Sequence, residues 1–319
     1  MWLEIPQIAN SKPQLEHNQG MANQENSNDG EERAIQGWLN SVWGPLPKWR
    51  EENGVESLQN VAYSITMGHR PVRLDAFRRA GTKNVPCVVY IHGGAFLFGQ
   101  KTGLPPTLKN PETFNRFIDA GITVVAIDYR LAGESLWPAQ LQDASGAVAW
   151  IQHRADELGI DPKSVFLWGE SAGAHIAMHS GLRFAPTDAR FQERSGLQAV
   201  AGIINWYGPN DLVAQGPQKD SPEAKLLGGQ PQDLPEASWD ANPCNFVTKD
   251  SPVIQIRHGD ADVVVSVEQS RLLKAKLDEV GAAYDYAEVP GADHCFFNFA
   301  EGESLIDEAI AFIKSNQKP

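Results

Sequence analysis

Residues 167–173 read Leu167-Trp168-Gly169-Glu170-Ser171-Ala172-Gly173. An apolar run over residues 165–168 leads into this stretch, and a helical pattern follows it over residues 172–183. The pattern G-x-S-x-G therefore lies between a predicted strand and a predicted helix, which is the setting that a nucleophile elbow requires. The pattern alone arises by chance in long chains, but this setting favours a functional interpretation of Ser171.

The residues around the serine have defined roles in such a turn. Gly169 and Gly173 let neighbouring backbone approach without a Cβ clash, so that the Ser171 hydroxyl projects above the carboxyl edge of the sheet. The amide of Ala172 lies at the start of the helix, where it faces a developing oxyanion. The sequence thus predicts Ser171 as a nucleophile and Ala172 as one donor of an oxyanion hole.

A glycine-rich loop, His92-Gly93-Gly94-Ala95-Phe96, directly follows the apolar run 85–91. It is of the H-G-G-G type that supplies the other amides of an oxyanion hole, because small residues allow those N–H groups to point into the site. We predict that Gly94 and Ala95 donate beside Ala172, and that Gly93 shapes the turn within the same oxyanion hole.

Two aspartates and one histidine follow later predicted strands. Asp260 and Asp262 come after the apolar run 253–256, and His294 comes after the last strand pattern, 284–289. Loops at the carboxyl ends of parallel strands are where an α/β site is built. We favour Asp262 as the acid because it lies further into its loop, and Asp260 is the alternative, as a residue that caps the turn. His294 is the predicted base.

The order Ser171, Asp262, His294 along the chain is that of α/β hydrolases. In this arrangement His294 takes the proton from Ser171, while Asp262 fixes the tautomer of His294 and stabilises its cation. An acyl-enzyme forms and is released by water or by another nucleophile.

Strand patterns alternate with helical patterns along the chain. This alternation predicts an α/β-hydrolase fold, with a mostly parallel, doubly wound sheet of about eight strands and a small helical lid. The first two strands form a hairpin at a sheet edge. The predicted strands are 61–65, 72–77, 85–91, 122–127, 165–168, 200–206, 253–256 and 284–289, and the predicted helices are 136–158, 172–183, 267–280 and 303–315.

Composition divides the chain into a leader and one domain. Residues 1–30 are rich in polar side chains and are predicted to be a disordered leader, because they bury too little apolar surface to offset ordering entropy. Residues 31–319 form a single domain. Two segments are predicted lid elements: residues 31–58, with a short amphipathic helix over 34–42, and the proline-rich insertion 209–250, which is too long for a plain connection.

The bulk composition limits the partners and the compartment. A formal net charge of -13 with no basic stretch argues against nucleic acid or an anionic membrane as a partner. Three cysteines do not form a disulfide framework, and no apolar run approaches the ~18–20 residues that span a membrane. We therefore expect a cytoplasmic protein. We expect no cofactor and no metal, since His175 and His179 lack a third ligand.

At this point the sequence resembles the carboxylesterases of the hormone-sensitive-lipase-like and feruloyl- or acetylxylan-esterase-like type, the alpha/beta hydrolase fold-3 family. Kynurenine formamidases share much of the pattern, which covers roughly residues 60–315. The resemblance is carried by five motifs: His92-Gly93-Gly94-Ala95-Phe96, Asp128-Tyr129-Arg130-Leu131, Pro138-Ala139-Gln140-Leu141-Gln142-Asp143, Gly169-Glu170-Ser171-Ala172-Gly173-Ala174-His175 and His258-Gly259-Asp260-Ala261-Asp262.

The resemblance implies a cofactor-free carboxylic-ester hydrolase with a small lid, and it favours Asp262 over Asp260 by its spacing from the His-Gly pair. It also implies structural roles for Asp128, Arg130 and Asp143. Gly133-Glu134 and Asp293 depart from the common pattern. Because both departures lie in loops near the site, they bear on substrate preference more than on chemistry.

The expected substrate is a small-molecule ester with a small or medium acyl group. Three alternatives remain open from the sequence: an amidase, formamidase or peptidase on the same residues, an acyltransferase or product-releasing hydrolase, and a non-catalytic binding protein. Phe96, Phe98, Trp137 and Tyr207 are predicted to line an apolar pocket. The edge strands at 61–77 permit a homodimer.

Overall fold

The computed structural model describes residues 42, 44–66, 68–183, 197–214, 220–299 and 302–318. These residues belong to one compact unit, Val42–Pro319. The predicted leader and the predicted helix over 34–42 lie outside the described residues, apart from Val42.

A nine-stranded sheet forms the centre of the described chain, in the order β1-β2-β3-β5-β4-β6-β7-β8-β9. Every neighbouring pair from β5 to β9 is parallel, whereas β1, β2 and β3 are added to one side in antiparallel pairs. The strands are β1 (Arg50–Glu52), β2 (Val55–Ser64), β3 (Val72–Arg79), β4 (Val85–Ile91), β5 (Thr123–Ile127), β6 (Ile160–Glu170), β7 (Gly202–Trp206), β8 (Val253–Gly259) and β9 (Tyr284–Val289).

Helices cover both faces of this sheet. They are α1 (Glu112–Asp119), α2 (Ala139–His153), α3 (Ala155–Leu158), α4 (Ala172–Arg183), α5 (Pro222–Leu227), α6 (Pro235–Asp240), α7 (Glu268–Val280) and α8 (Gly302–Ser315). Alternate strand residues divide the core in two, since successive side chains of a strand point to opposite faces. Val89 of β4 belongs to the core cluster that includes residues of α2, α4 and α7, and Val88 belongs to the cluster that includes residues of α1 and α8. The predicted doubly wound α/β fold is therefore observed.

The first predicted lid segment is partly wrong. Its residues 50–58 belong to β1 and to the start of β2, so they extend the sheet to nine strands instead of eight. β1 pairs only with the start of β2, at Val55–Ser57, and the rest of β2 keeps one unpaired edge among the described residues. The homodimer that such an edge permits stays a prediction.

The insertion at 209–250 is attached to the body of the domain by side chains. It contains α5, α6 and two short 3-10 helices, Pro231–Asp233 and Pro243–Phe246. The Trp137 indole N–H and the Arg183 guanidinium both donate to the Asp240 carboxylate, at 2.8 and 2.6 Å. The Trp137 amide donates to the Leu226 carbonyl at 2.9 Å. These bonds hold the insertion against α2 and α4.

Within the ranges given above, no helix is long and apolar enough to cross a membrane. The three cysteines Cys87, Cys244 and Cys295 are free thiols.

Candidate active site

Ser171 occupies a one-residue turn between β6, which ends at Glu170, and α4, which begins at Ala172. Its φ of 53° is left-handed, a conformation that costs a residue with a Cβ about 1–2 kcal/mol. The turn is held by the Ser171 amide, which donates to the Trp206 carbonyl of the neighbouring strand at 2.9 Å. The Ser171 carbonyl accepts from Ala174 at 3.0 Å.

The two glycines of the turn have no room for a side chain. A Cβ on Gly173 would overlap the carbonyl oxygen of Ile91, and a Cβ on Gly169 would overlap the backbone of Gly173. The start of α4 therefore packs directly on the end of β4. This close contact brings Ser171 beside the glycine-rich loop, which begins at His92.

His294 lies between Ser171 and Asp262. Its Nε2 atom is 3.1 Å from the Ser171 hydroxyl oxygen, and its Nδ1 atom is 2.7 Å from Oδ2 of Asp262. These distances allow Nδ1–H to donate to the carboxylate and Nε2 to accept from the hydroxyl, which is the geometry of a general base with an orienting acid. The structure therefore brings together the three residues that the sequence singled out for this role.

The environment of Asp262 keeps its carboxyl group ionised. Burial raises its pKa, but hydrogen bonds from His258 and His294 outweigh burial and lower the pKa well below the ordinary value. The amides of Val264 and Val265 also donate to Oδ1, at 2.8 and 2.9 Å. An ionised carboxylate of this kind stabilises an imidazolium that forms on His294.

The alternative acid, Asp260, lies elsewhere. Its exposed carboxylate accepts from the Gly291 amide at 2.6 Å, so it ties its own loop to the loop that carries His294. His258 supports the Asp262 loop from below, since it contacts the Ser270 hydroxyl at 2.7 Å and donates to the Val265 carbonyl at 2.8 Å.

Three successive residues of the glycine-rich loop have a left-handed backbone, and this conformation orients the amides of the loop. Gly94, Ala95 and Phe96 have φ values of 105°, 55° and 61°. No described residue accepts a hydrogen bond from the amides of Gly94, Ala95 or Ala172, so these three N–H groups are available to a ligand. The Gly93 amide is not available, because it donates to Oε1 of Glu170 at 2.5 Å. Gly93 therefore shapes the loop and does not donate to an oxyanion.

A cavity of about 140 Å³ opens beside the Ser171 hydroxyl. Its walls come from the glycine-rich loop, from the start of α4, from the loop after Asp262 and from the insertion. The lining residues are Ala95, Phe96, Ser171, Ala172, Pro209, Pro222, Glu223, Val264 and Val265.

Of the four predicted pocket residues, only Phe96 lines this cavity. Phe98 is 68% exposed at the surface and does not line it. Trp137 packs on His179, with ring centroids 4.6 Å apart. Tyr207 is buried behind His294, with ring centroids 4.9 Å apart. The assignment of Phe98, Trp137 and Tyr207 to the pocket was therefore wrong, because the direction of a side chain depends on tertiary packing.

Two groups of lining residues escaped the sequence analysis. Val264 and Val265 follow the acid directly, and this adjacency was a usable signal. Pro222 and Glu223 lie at the start of α5 within the insertion, and nothing local marks them. Glu223 is half-buried, and no described residue forms an ion pair or a hydrogen bond with its carboxylate.

Glu170, the residue before Ser171, is a second carboxyl group missed by the sequence analysis. Burial raises its pKa to about 7, although hydrogen bonds from the Gly93 amide and the Tyr90 hydroxyl oppose this shift. Its position inside the G-x-S-x-G pattern was the signal that could have drawn attention to it.

The sheet order, the serine turn and the relay of Ser171, His294 and Asp262 together define an α/β hydrolase. The BD-FAE family model matches residues 74–277, which include most strands of this sheet and the turn at Ser171. The chain belongs to the BD-FAE family.

Several proteins are similar to this chain. Esterase LipC of Mycobacterium tuberculosis is 29% identical over 246 residues, which cover 73% of this chain and 59% of LipC. An acetyl esterase of Salmonella paratyphi B is 25% identical over 69% of this chain and 68% of its own length. A truncated carbohydrate esterase from gut microbiota, with 26% identity, superposes with a TM-score of 0.70 over 84% of this chain and 99% of its own.

The buried carboxyl of Glu170 predicts a pH-dependent stability. Its folded-state pKa of about 7 lies above the ordinary value of 4.5, so the folded state binds the proton more tightly. The linked stability is present at low pH and is lost as pH rises through this window. Because Gln does not titrate, we expect Glu170→Gln to gain roughly 1–3 kcal/mol over the wild type between pH 5 and pH 8. Urea unfolding at both pH values measures this difference.

The exposed Glu112→Gln variant is the control, because it removes a carboxylate that is not buried in the folded chain. An equal difference at pH 5 and pH 8 for Glu170→Gln contradicts the prediction.

Proposed function

We propose that the protein is a serine hydrolase that cleaves the carboxylic ester of a small acyl group through Ser171, His294 and Asp262. The observation that carries this proposal is the relay of two contacts, 3.1 Å from Ser171 to His294 and 2.7 Å from His294 to Asp262. A relay of this length lets one imidazole take and return a proton without moving far.

The reaction has two halves. The Ser171 oxygen attacks the ester carbonyl while His294 takes the hydroxyl proton. The oxyanion that forms accepts hydrogen bonds from the free amides of Gly94, Ala95 and Ala172. His294 then protonates the leaving alcohol, and the acyl-enzyme remains. Water, deprotonated by His294, attacks the acyl group and regenerates the hydroxyl of Ser171.

The names of the similar proteins support an ester as the substrate, since they are an esterase, an acetyl esterase and a carbohydrate esterase. This chain spans only 59% of the length of LipC, so the activity of this chain is itself a proposal. The cytoplasmic location expected from the sequence also stays a prediction.

The cavity supports a small acyl group over a medium one. Its volume of about 140 Å³ is below the ~300 Å³ at which pockets for drug-sized ligands begin. Phe96 and Val265 form buried walls, so the cavity cannot extend past these two side chains without disturbing the core.

Ser171→Ala tests the nucleophile. We expect the wild type to be labelled by a fluorophosphonate probe, and we expect Ser171→Ala to lose both labelling and p-nitrophenyl acetate hydrolysis by at least about 10³-fold. Alanine removes only the attacking oxygen, so the fold is retained.

The exposed Ser266→Ala variant is the control, and it keeps both activities. Labelling that persists in Ser171→Ala contradicts the proposed nucleophile. A folded wild type that is never labelled contradicts the proposed function and favours a binding protein. A p-nitroanilide in the same assay measures the amidase alternative.

Acyl length tests the cavity. We expect kcat/KM to fall at least tenfold from p-nitrophenyl acetate to the octanoate, because a long chain has to displace buried Phe96 or remain in water. The measurement is a graded series of esters below their micelle concentrations. A kcat/KM that rises steadily towards the octanoate contradicts a small acyl pocket.

Glu223 tests charge selection at the cavity wall. Its carboxylate has no described ion-pair partner, so it repels an anionic acyl group. We expect Glu223→Gln to raise kcat/KM for the p-nitrophenyl hemisuccinate, relative to the butyrate of similar size, by about 5–30-fold at low salt. The exposed Glu236→Gln variant, on α6, leaves this ratio unchanged. An unchanged ratio in Glu223→Gln shows that its carboxylate does not face the acyl group.

A further inference from the structure

Glu170 differs from the other buried carboxyl groups of the described chain. Asp75, Asp143 and Asp262 each lie within ion-pair distance of a basic side chain, which is Lys101, Arg130 and His294 respectively. Glu170 is 5% exposed, and no basic side chain contributes to the shift of its pKa. A buried carboxyl without a cation is destabilising unless its oxygens accept hydrogen bonds. The contacts of Glu170 therefore show what this carboxyl does.

The main contact of Glu170 is with the glycine-rich loop. The Gly93 amide donates to Oε1 at 2.5 Å. A Cβ on Gly93 would overlap the Glu170 carboxyl group, so the loop rests directly on it. The Tyr90 hydroxyl lies 3.4 Å from the same oxygen, and its shorter hydrogen bond is to the Gly103 carbonyl, at 2.8 Å.

The loop needs an external support of this kind. Gly94, Ala95 and Phe96 are all left-handed, and the last two carry a Cβ, so each of these two is strained by about 1–2 kcal/mol. Strained conformations persist only when the surroundings impose them. The Gly93 amide belongs to the His92–Gly93 peptide, directly before this run, so its bond to Glu170 anchors the chain at the point where the left-handed run begins.

Glu170 also links the loop to the other parts of the site. Its backbone continues into Ser171, so one residue connects the serine turn to the oxyanion-hole loop. The hydroxyl of Tyr207 faces Glu170, and the Tyr207 ring packs against His294 at 4.9 Å between centroids. The carboxyl therefore lies beneath the junction of the serine, the loop and the histidine.

We propose that Glu170 is a positioning residue, whose carboxyl holds the Gly93 amide so that the amides of Gly94 and Ala95 point at the oxyanion of the Ser171 adduct. This inference rests on the proposed function of Ser171. If Glu170 only filled space in the core, any side chain of equal volume could replace it without a change in activity.

A matched pair of variants separates the two roles. Gln keeps an oxygen that accepts from Gly93, whereas Met has a similar volume and no such acceptor. We expect Glu170→Met to lower kcat for p-nitrophenyl acetate by about 10–100-fold with KM within about twofold, because the loss is confined to the transition state. Labelling by the fluorophosphonate slows by a similar factor. Glu170→Gln stays within about threefold of the wild type in both assays.

Gln255→Met is the control for a buried polar group replaced by Met. Gln255 lies within β8, its side-chain amide donates to the Asp285 carboxylate at 3.2 Å, and it does not line the cavity. We expect this variant to lose stability and keep kcat. A wild-type kcat in folded Glu170→Met overturns the inference, and so does an equal loss in the Met and Gln variants.

A measurement on the Gly93 amide itself does not depend on activity or on the stability of Glu170→Met. The chain contains only two His-Gly pairs, His92-Gly93 and His258-Gly259, so carbonyl-labelled His with ¹⁵N-Gly gives two amide resonances. We expect one of them to lie downfield in the wild type and to move in Glu170→Gln, while the other stays in place. Two unshifted resonances overturn the contact.

The two proposals fail in different ways. A wild type that shows neither labelling nor hydrolysis refutes the proposed function. The proposed role of the contact between Glu170 and Gly93 then fails as well, even if the downfield resonance shows that the contact exists. A wild type that is active, with Glu170→Met equally active, refutes only the role of Glu170.

Discussion

The packing of the start of α4 on the end of β4 is the constraint on which the rest of the site depends. Gly173 lies so close to the Ile91 carbonyl that only hydrogen fits between them. This contact forces Ser171 into a left-handed turn and places it beside the first residues of the glycine-rich loop. Because β4 and β6 are neighbours in the centre of the sheet, the serine and the oxyanion-hole amides meet without any long connection. The other two groups have only to reach this point from β8 and β9.

Two buried carboxyl groups near Ser171 have opposite pKa shifts, and their surroundings explain the difference. Asp262 faces two imidazoles and two amides, so hydrogen bonds lower its pKa in spite of burial. Glu170 faces one amide and neutral hydroxyl groups, so burial prevails and its pKa rises. Environments that separate the pKa values of two acids are a common way to give them different roles. In the proposed mechanism the ionised acid supports the imidazolium of His294, and the other acid supports the loop.

The sequence predicted those features that are determined by neighbouring residues. The helix at 172–183 and the meeting of Ser171, Asp262 and His294 follow from strand ends and chain order. The strand β1 was missed, although Asn53-Gly54, with φ values of 52° and 76°, is a strong hairpin signal. Its charged residues lack the apolar alternation that reveals a strand. The bond from the Gly93 amide to Glu170 was missed because the two residues are 77 positions apart in the sequence. Partners at such separations are set by tertiary packing, which no local pattern shows.

Chemistry and substrate selection come from different parts of the chain. Ser171, His294, Asp262 and the free amides of the glycine-rich loop all follow the carboxyl ends of parallel strands, where a shift of one residue would break several hydrogen bonds at once. Pro209, Pro222 and Glu223 form the remaining cavity wall from the insertion, which is joined to the body through a few side-chain bonds such as Trp137 to Asp240. A change at the start of α5 can therefore alter the size or charge of the cavity and leave the relay intact. The lone carboxylate of Glu223 is consequently a property of the insertion, and the proposed ester chemistry is a property of the sheet.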